Sequence, residues 1–200
     1  MHPFNTCSVA IEYILGGMIM RAMTQTNLQS AFGGESQAHM RYLYWGAVAE
    51  KEGFKNVARL FEATAEAERV HAHLHFRAMK DVAGDFSVTS GGGFGDLGTS
   101  KNLEAAAGGE RFEHTEMYPS YILVAEEQGE KAAVSAMRFA IEAEKVHEKL
   151  FLKAKEYVDA GKDLDAEKIY LCPVCGFISL TGEEDKCPIC GALASKFVEY

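Results

Sequence analysis

From about Thr26 to Met79 apolar residues recur every three or four positions, through LYWGAVAEKEG (43–53) and VARLFEATAEA (57–67). That spacing lines them along one stripe of a helix. The pattern breaks at EGFKN (52–56), where Gly53 can take the left-handed conformation that ends a helix. The segment therefore predicts an antiparallel helical hairpin. A stretch with five glycines between Gly91 and Gly98 follows, and reads as a crossover to a second hairpin over about Ser100–Ala160, broken at EEQGEKA (126–132). Laying Gly129 on Gly53 also lays Ala125 and Glu126 on Ala49 and Glu50, and Glu144 and His147 on Glu68 and His71. Two hairpins joined by a long crossover describe a mainly α fold, a four-helix bundle of ferritin-like connectivity.

From Tyr170 to Tyr200 the chain is rich in Gly, Pro and Cys, with short β-like pieces in FISL (177–180) and KFVEY (196–200). So short a segment needs a staple to fold, and a metal is the obvious one. The expected division is an N-terminal tail (1–25), the bundle (26–160) and a small C-terminal metal-knuckle domain (168–200).

Composition sharpens this reading. With 48% hydrophobic and 24% charged residues the chain has material for a sizeable core. A net charge of -9, with no basic block, argues against binding nucleic acid. Some of that negative charge, turned inward, would hold metal cations. The apolar run Ser8–Met20 is short and carries Glu12, so neither a membrane span nor a signal peptide is expected. Cys7 is read as an incidental thiol.

Glu and His three apart share a helix face, so Glu68 with His71, and Glu144 with His147, can each aim a carboxylate and an imidazole at one point. Two copies in repeat-equivalent positions imply a two-metal cage, completed by an inward Glu from the first helix of each hairpin. In the first hairpin Glu35 is the only acid before Glu50; in the second, Glu113 and Glu116 are chosen. Glu113 stands two positions closer to Glu144 than Glu35 does to Glu68, a mismatch assigned to a kink or bulge at Pro119. Five carboxylates with two imidazoles suit iron in both oxidation states. Tyr42 and Tyr121 fall on the ligand faces, either to hydrogen-bond a carboxylate or simply to pack. His39 lies near the site; His73 and His75 alternate and are read as lying off the face of His71, in surface or packing roles, and His114 points elsewhere.

Cys172, Cys175, Cys187 and Cys190 form C-x2-C-x11-C-x2-C, both halves reading Cys-Pro-x-Cys-Gly. Gly176 and Gly191 permit turns whose amides face the sulfurs. Four thiolates impose a tetrahedral site for one Fe or for Zn. A structural zinc ribbon is the plain reading, while a neighbouring di-iron site favours Fe as an electron inlet.

AFGGESQAHMRY, AEAERVHA, ERFEHTEMYPSY, EAEKVHEK and the two CP-x-CG knuckles together resemble the rubrerythrin family, a ferritin-like di-iron domain followed by a rubredoxin-like domain. The resemblance implies Glu35, Glu68, Glu113, Glu116, Glu144 and His147 as iron ligands, with His71 exchanging with Glu116 as the oxidation state changes. It makes the four cysteines ligands of an iron–tetrathiolate centre. It further implies a cytoplasmic peroxidase that reduces hydrogen peroxide to water. Electrons would come from an external donor, a rubredoxin or an NAD(P)H-dependent reductase; no dinucleotide fingerprint is present in the chain. Homodimers or larger assemblies are implied, often with one chain's thiolate iron beside another's di-iron site. The alternative is a ferritin-like iron store with a structural zinc ribbon.

Overall fold

A computed structural model describes residues 20–200; Cys7 and the apolar run before Met20 lie outside them. The first hairpin is α1 (Ala22–Glu52) and α2 (Lys55–Ala78). The second begins with α3 (Thr99–Phe112), which runs through a π-helical segment (Glu113–Met117) into α4 (Tyr118–Glu127), and returns as α5 (Lys131–Asp159). The first helix begins one turn before the expected Thr26.

The two hairpin turns repeat down to their hydrogen bonds. Gly53 has φ +95° and Gly129 +74°. The amide of Gly53 bonds Glu50 and that of Phe54 bonds Ala49; likewise Gly129 bonds Glu126 and Glu130 bonds Ala125. This is the Schellman termination, with glycine removing the steric penalty of the left-handed residue.

Among the described residues none of the helix N-termini has a side-chain cap of its own. Three borrow caps from distant segments. Gln128 accepts from the Thr24 amide (3.0 Å) and hydroxyl (2.7 Å) at the head of α1. Glu52, ending α1, accepts from the Thr99 amide (3.0 Å) at the head of α3. Asp163, in the linker, accepts from the amides of Asn56 (2.8 Å) and Val57 (3.2 Å) at the head of α2. Each cap ties two parts of the chain together while satisfying amides that the helix leaves free.

The bundle core divides around its middle. An aromatic cluster of Tyr42, Trp45, Phe61 and Phe151 fills one end, and Leu28, Met79, Tyr118 and Met137 pack at the other. The polar layer between them is the site. The crossover lies along α1: the Trp45 indole N–H donates to the Gly95 carbonyl (2.9 Å), and a Cβ on Gly33 would sit 2.6 Å from Val88.

The C-terminal unit is a three-stranded antiparallel sheet, β1 (Tyr170–Leu171), β2 (Ile178–Ser179) and β3 (Val198–Glu199), in the order β2-β1-β3. β1 pairs through Leu171 with Ile178 on one side and Val198 on the other.

Candidate metal centres

Two groups of ligand atoms meet between the helices, each group's atoms lying within 4.8 Å of one another: Glu35, Glu68, His71 and Glu144, then Glu68, Glu110, Glu144 and His147. Glu68 and Glu144 belong to both. All six residues are at most 1% exposed. Each hairpin thus contributes one Glu from its first helix and a Glu-x-x-His from its second, the inward set of a two-metal carboxylate bundle.

The structure differs from the sequence expectation in the third helix. Glu110, not Glu113 or Glu116, stands opposite Glu35. Glu116 is exposed and outside both groups, with only its backbone carbonyl engaged, by Ser120. Glu113 is half-buried at the edge of the cage. The cause of the shifted register is the π segment. Glu110 stands one position further from Glu144 than Glu35 does from Glu68, so the second half holds one extra residue. A π bulge is a single-residue insertion in a helix. It lies just before Pro119, which has no amide to offer the preceding turn. The expected bulge is present, absorbing a mismatch of one position rather than two.

The same insertion relocates the second tyrosine. The Tyr42 hydroxyl donates to Glu110 (2.6 Å) and the Tyr118 hydroxyl donates to Glu35, so each half braces the other's carboxylate. Tyr121, one turn further on, reaches Ser30 instead (3.2 Å). His75 is a second correction. Four positions after His71, it shares that face; it is fully buried, with Nε2 2.7 Å from the Tyr118 hydroxyl. That helical spacing was the available signal. Burial, then the charge of His71, pushes its pKa down to about 3. His39 bonds the Ala65 carbonyl (2.7 Å), His73 lies beside Arg69, and His114 pairs with Glu148 (2.6 Å).

Burial, then neighbouring carboxylates, hold Glu35, Glu110 and Glu113 well above the usual carboxylate range, with Arg41 opposing the effect at Glu113. Burial also works against charge on Glu68, yet the neighbouring imidazoles of His147 and His71 pull it below that range. His71 gains in return: against burial, Glu144 and Glu68 raise it to about 10. One oxygen each of Glu35, Glu68 and Glu110 is buried without a hydrogen-bond partner, and the two Glu144 oxygens lie 2.7 Å from His71 Nδ1 and His147 Nδ1, all four atoms turned into the cage. Orphaned donor atoms and mutually repelling carboxylates are what a pair of cations would satisfy, so these residues fit a di-iron site.

The four cysteines also converge, Cys172 and Cys190 Sγ 3.6 Å apart, Cys175 and Cys187 3.4 Å. The Cys175 thiol, then the amides of Val174 and Cys175, draws the Cys172 thiol down to about 5. Cys175 is held above the usual thiol range, first by the Cys172 thiol, and Cys190 first by burial, with the amides of Phe177 and Ala192 opposing the rise. Knuckles with amides turned to sulfur fit a rubredoxin-like iron.

The two centres touch within one chain. His71 Nε2 lies 3.0 Å from the Cys175 carbonyl, and His147 Nε2 lies 2.9 Å from the Gly176 carbonyl. A carbonyl only accepts, so both Nε2 atoms carry a proton, and both Nδ1 atoms face the carboxylates, where each can offer its lone pair to a cation. Gly176 has φ +81°, and a Cβ there would run into His71 Nε2. Within this chain the knuckle covers one side of the cage. On the opposite side a cleft of about 630 Å³, lined by Gly34, Arg41, Gly92, Gly109 and Glu113, opens to the surface.

Comparison with known proteins agrees with this geometry. The Rubrerythrin family model matches residues 26–155. Rubrerythrin-2 of Clostridium acetobutylicum is 45% identical over 182 residues, 91% of this chain and 99% of that protein. Nigerythrin of Nitratidesulfovibrio vulgaris is 35% identical over 177 residues, 88% and 86% of the two chains. A structure of fully reduced, all-ferrous nigerythrin superimposes with a TM-score of 0.81 at 34% identity, covering 96% of this chain and 91% of the other.

Proposed function

The chain belongs to the rubrerythrin family, and on that premise we propose that it is a peroxidase that reduces hydrogen peroxide to water with electrons from a separate donor protein. The observation that carries this reading is the pair of hydrogen bonds joining His71 and His147 to the four-cysteine knuckle. A storage site has no use for a four-thiolate unit resting on both of its imidazoles.

In this assignment Glu68 and Glu144, members of both groups, would serve both irons, Glu35 with His71 would hold one and Glu110 with His147 the other, and Cys172, Cys175, Cys187 and Cys190 would hold the single iron. When bound, the reduced iron pair supplies two electrons to the O–O bond, which with two protons yields two waters, and the thiolate iron supplies electrons singly for recovery. The protein's contribution is positional. Tyr42 and Tyr118 orient Glu110 and Glu35. The knuckle carbonyls hold both imidazoles in the tautomer that presents Nδ1. The sealed face keeps bulk water out, and the cleft admits a small oxidant beside Glu113. Glu113, half-buried there, takes the role that the family resemblance had attached to Glu116, as the carboxylate that exchanges with His71. Exposed Met40, Leu43, Tyr44 and Phe94 on and beside α1 offer a surface for assembly into a homodimer or higher oligomer.

The test is an anaerobic peroxide titration of the reduced protein with its iron counted. About three irons per chain, reoxidised stoichiometrically and rapidly by peroxide, are expected, three being the count the two clusters fit. Sluggish reoxidation, or zinc in the thiolate site, would overturn the peroxidase reading. Glu113→Ala should slow turnover at least tenfold while Glu116→Ala does not. Cys172→Ala should remove the thiolate-iron colour and donor-linked turnover, yet spare direct oxidation of the reduced pair.

A further inference from the structure

The repeat alignment that lays Tyr42 on Tyr118 and His71 on His147 lays His75 on Phe151. The two halves of the cage therefore differ at one equivalent position directly behind each bracing tyrosine. Behind Tyr42 stands Phe151, edge-on with ring centroids 5.3 Å apart, and the Tyr42 hydroxyl has Glu110 as its hydrogen-bond partner. Behind Tyr118 stands His75, with Nε2 2.7 Å from the hydroxyl that donates to Glu35.

A phenol has one proton. When Glu35 acts as a ligand it is a carboxylate and can only accept, so the Tyr118 proton points at Glu35. His75 Nε2 must then donate to the Tyr118 oxygen, leaving Nδ1, which is buried without a partner, as the unprotonated nitrogen. A phenol that accepts one hydrogen bond donates its own more strongly. Tyr118 thus withdraws more charge from Glu35 than Tyr42 withdraws from Glu110, although the two tyrosines occupy equivalent places.

We propose that His75 is a positioning residue that, through Tyr118, weakens Glu35 as an end ligand and so makes the two iron positions of a repeat-built cage unequal. While His71 rather than Glu113 is the partner of Glu35, that position is the one that more readily keeps its iron ferrous. The one served by Glu110 and His147 is oxidised first. This rests on the ligand assignment proposed above.

The measurement is a redox titration of the iron-loaded full chain followed by electron paramagnetic resonance, reading how strongly the mixed-valence state is favoured over the diferric and diferrous states. Wild-type protein should populate it well. His75→Phe, which copies the other half, should lower the comproportionation constant by about tenfold, the lower end of what such outer partners do to a metal site. His75→Gln, which keeps a donor near the Nε2 position, should restore most of it. Phe151→His, which supplies the missing imidazole behind Tyr42, should lower it by the opposite route. In a Tyr118→Phe background His75→Phe should change nothing further. A wild-type pair titrating in one concerted step, or a constant unmoved by both His75→Phe and Phe151→His, overturns the proposal. Absence of an iron pair from the wild-type bundle would instead overturn the assignment beneath it.

Discussion

Glu110 and Glu116 belong to one short stretch of helix and differ completely in what they can do. Glu110 is buried with one oxygen unpaired and the other held by Tyr42. Glu116 is exposed, and its carboxylate meets neither cluster. Glu110→Ala is expected to reduce the bundle's iron from two to at most one, and Glu116→Ala to leave it at two; metal analysis after desalting checks both. Equal losses in the two variants would mean that the cage extends along the π segment. The tyrosines show the same sensitivity to single residues. Tyr118 rather than Tyr121 reaches a carboxylate because one inserted residue turns the following helix by about 100°.

At the scale of elements, the π segment and the knuckle turns decide the site. Glu113–Met117 holds the extra residue that lets Tyr118 face Glu35 while Glu110 faces His147. Deleting Thr115 should restore a plain helix and rotate one side out of register. We expect that variant to lose the bundle iron while keeping the thiolate-iron absorbance, which metal analysis and a visible spectrum report together. The two knuckle glycines are equivalent in sequence but not in surroundings. Gly176 (φ +81°) faces His71, whereas a Cβ on Gly191 (φ +73°) would meet nothing within 4 Å. Gly191→Ala should therefore cost only the left-handed strain, about 1–2 kcal/mol. Gly176→Ala adds a clash with His71 and should also alter the di-iron spectrum. Similar stability losses with an unchanged di-iron spectrum in both would mean that the knuckle does not rest on His71 in solution.

Over the whole molecule, a layer of buried like charges divides two apolar clusters, and metal is what makes that layer favourable. Removing iron with a chelator under reducing conditions should lower Tm by about 5–10 °C per iron, if each is bound at roughly a hundred times its Kd. Calorimetry of loaded and stripped protein checks this; equal values would mean that protons and imidazolium groups neutralise the cage as well as iron does. The caps lent by Gln128, Glu52 and Asp163 belong to this scale too, since each closes a helix head from a remote part of the chain. Among the described residues no helix is long and apolar enough to cross a membrane.

Two hairpins, a crossover, a metal knuckle and both Glu-x-x-His pairs were legible in the chain itself, because each is a local matter. Periodicity is set by the helical turn, hairpin ends by glycines that accept positive φ, and paired C-x2-C spacing by the reach of one turn. Glu35 was found by elimination, as the lone acid on its stretch of helix. Glu110, Tyr118 and His75 were not found. Which of three glutamates in GERFEHTE faces inward depends on where one residue bulges out of a helix, and competing i→i+4 and i→i+5 bonds are decided by packing against the neighbouring helices. The meeting of His71 and His147 with the carbonyls of Cys175 and Gly176 lay further still from sequence reasoning. Those partners stand far apart along the chain, and only its closing on itself sets them side by side.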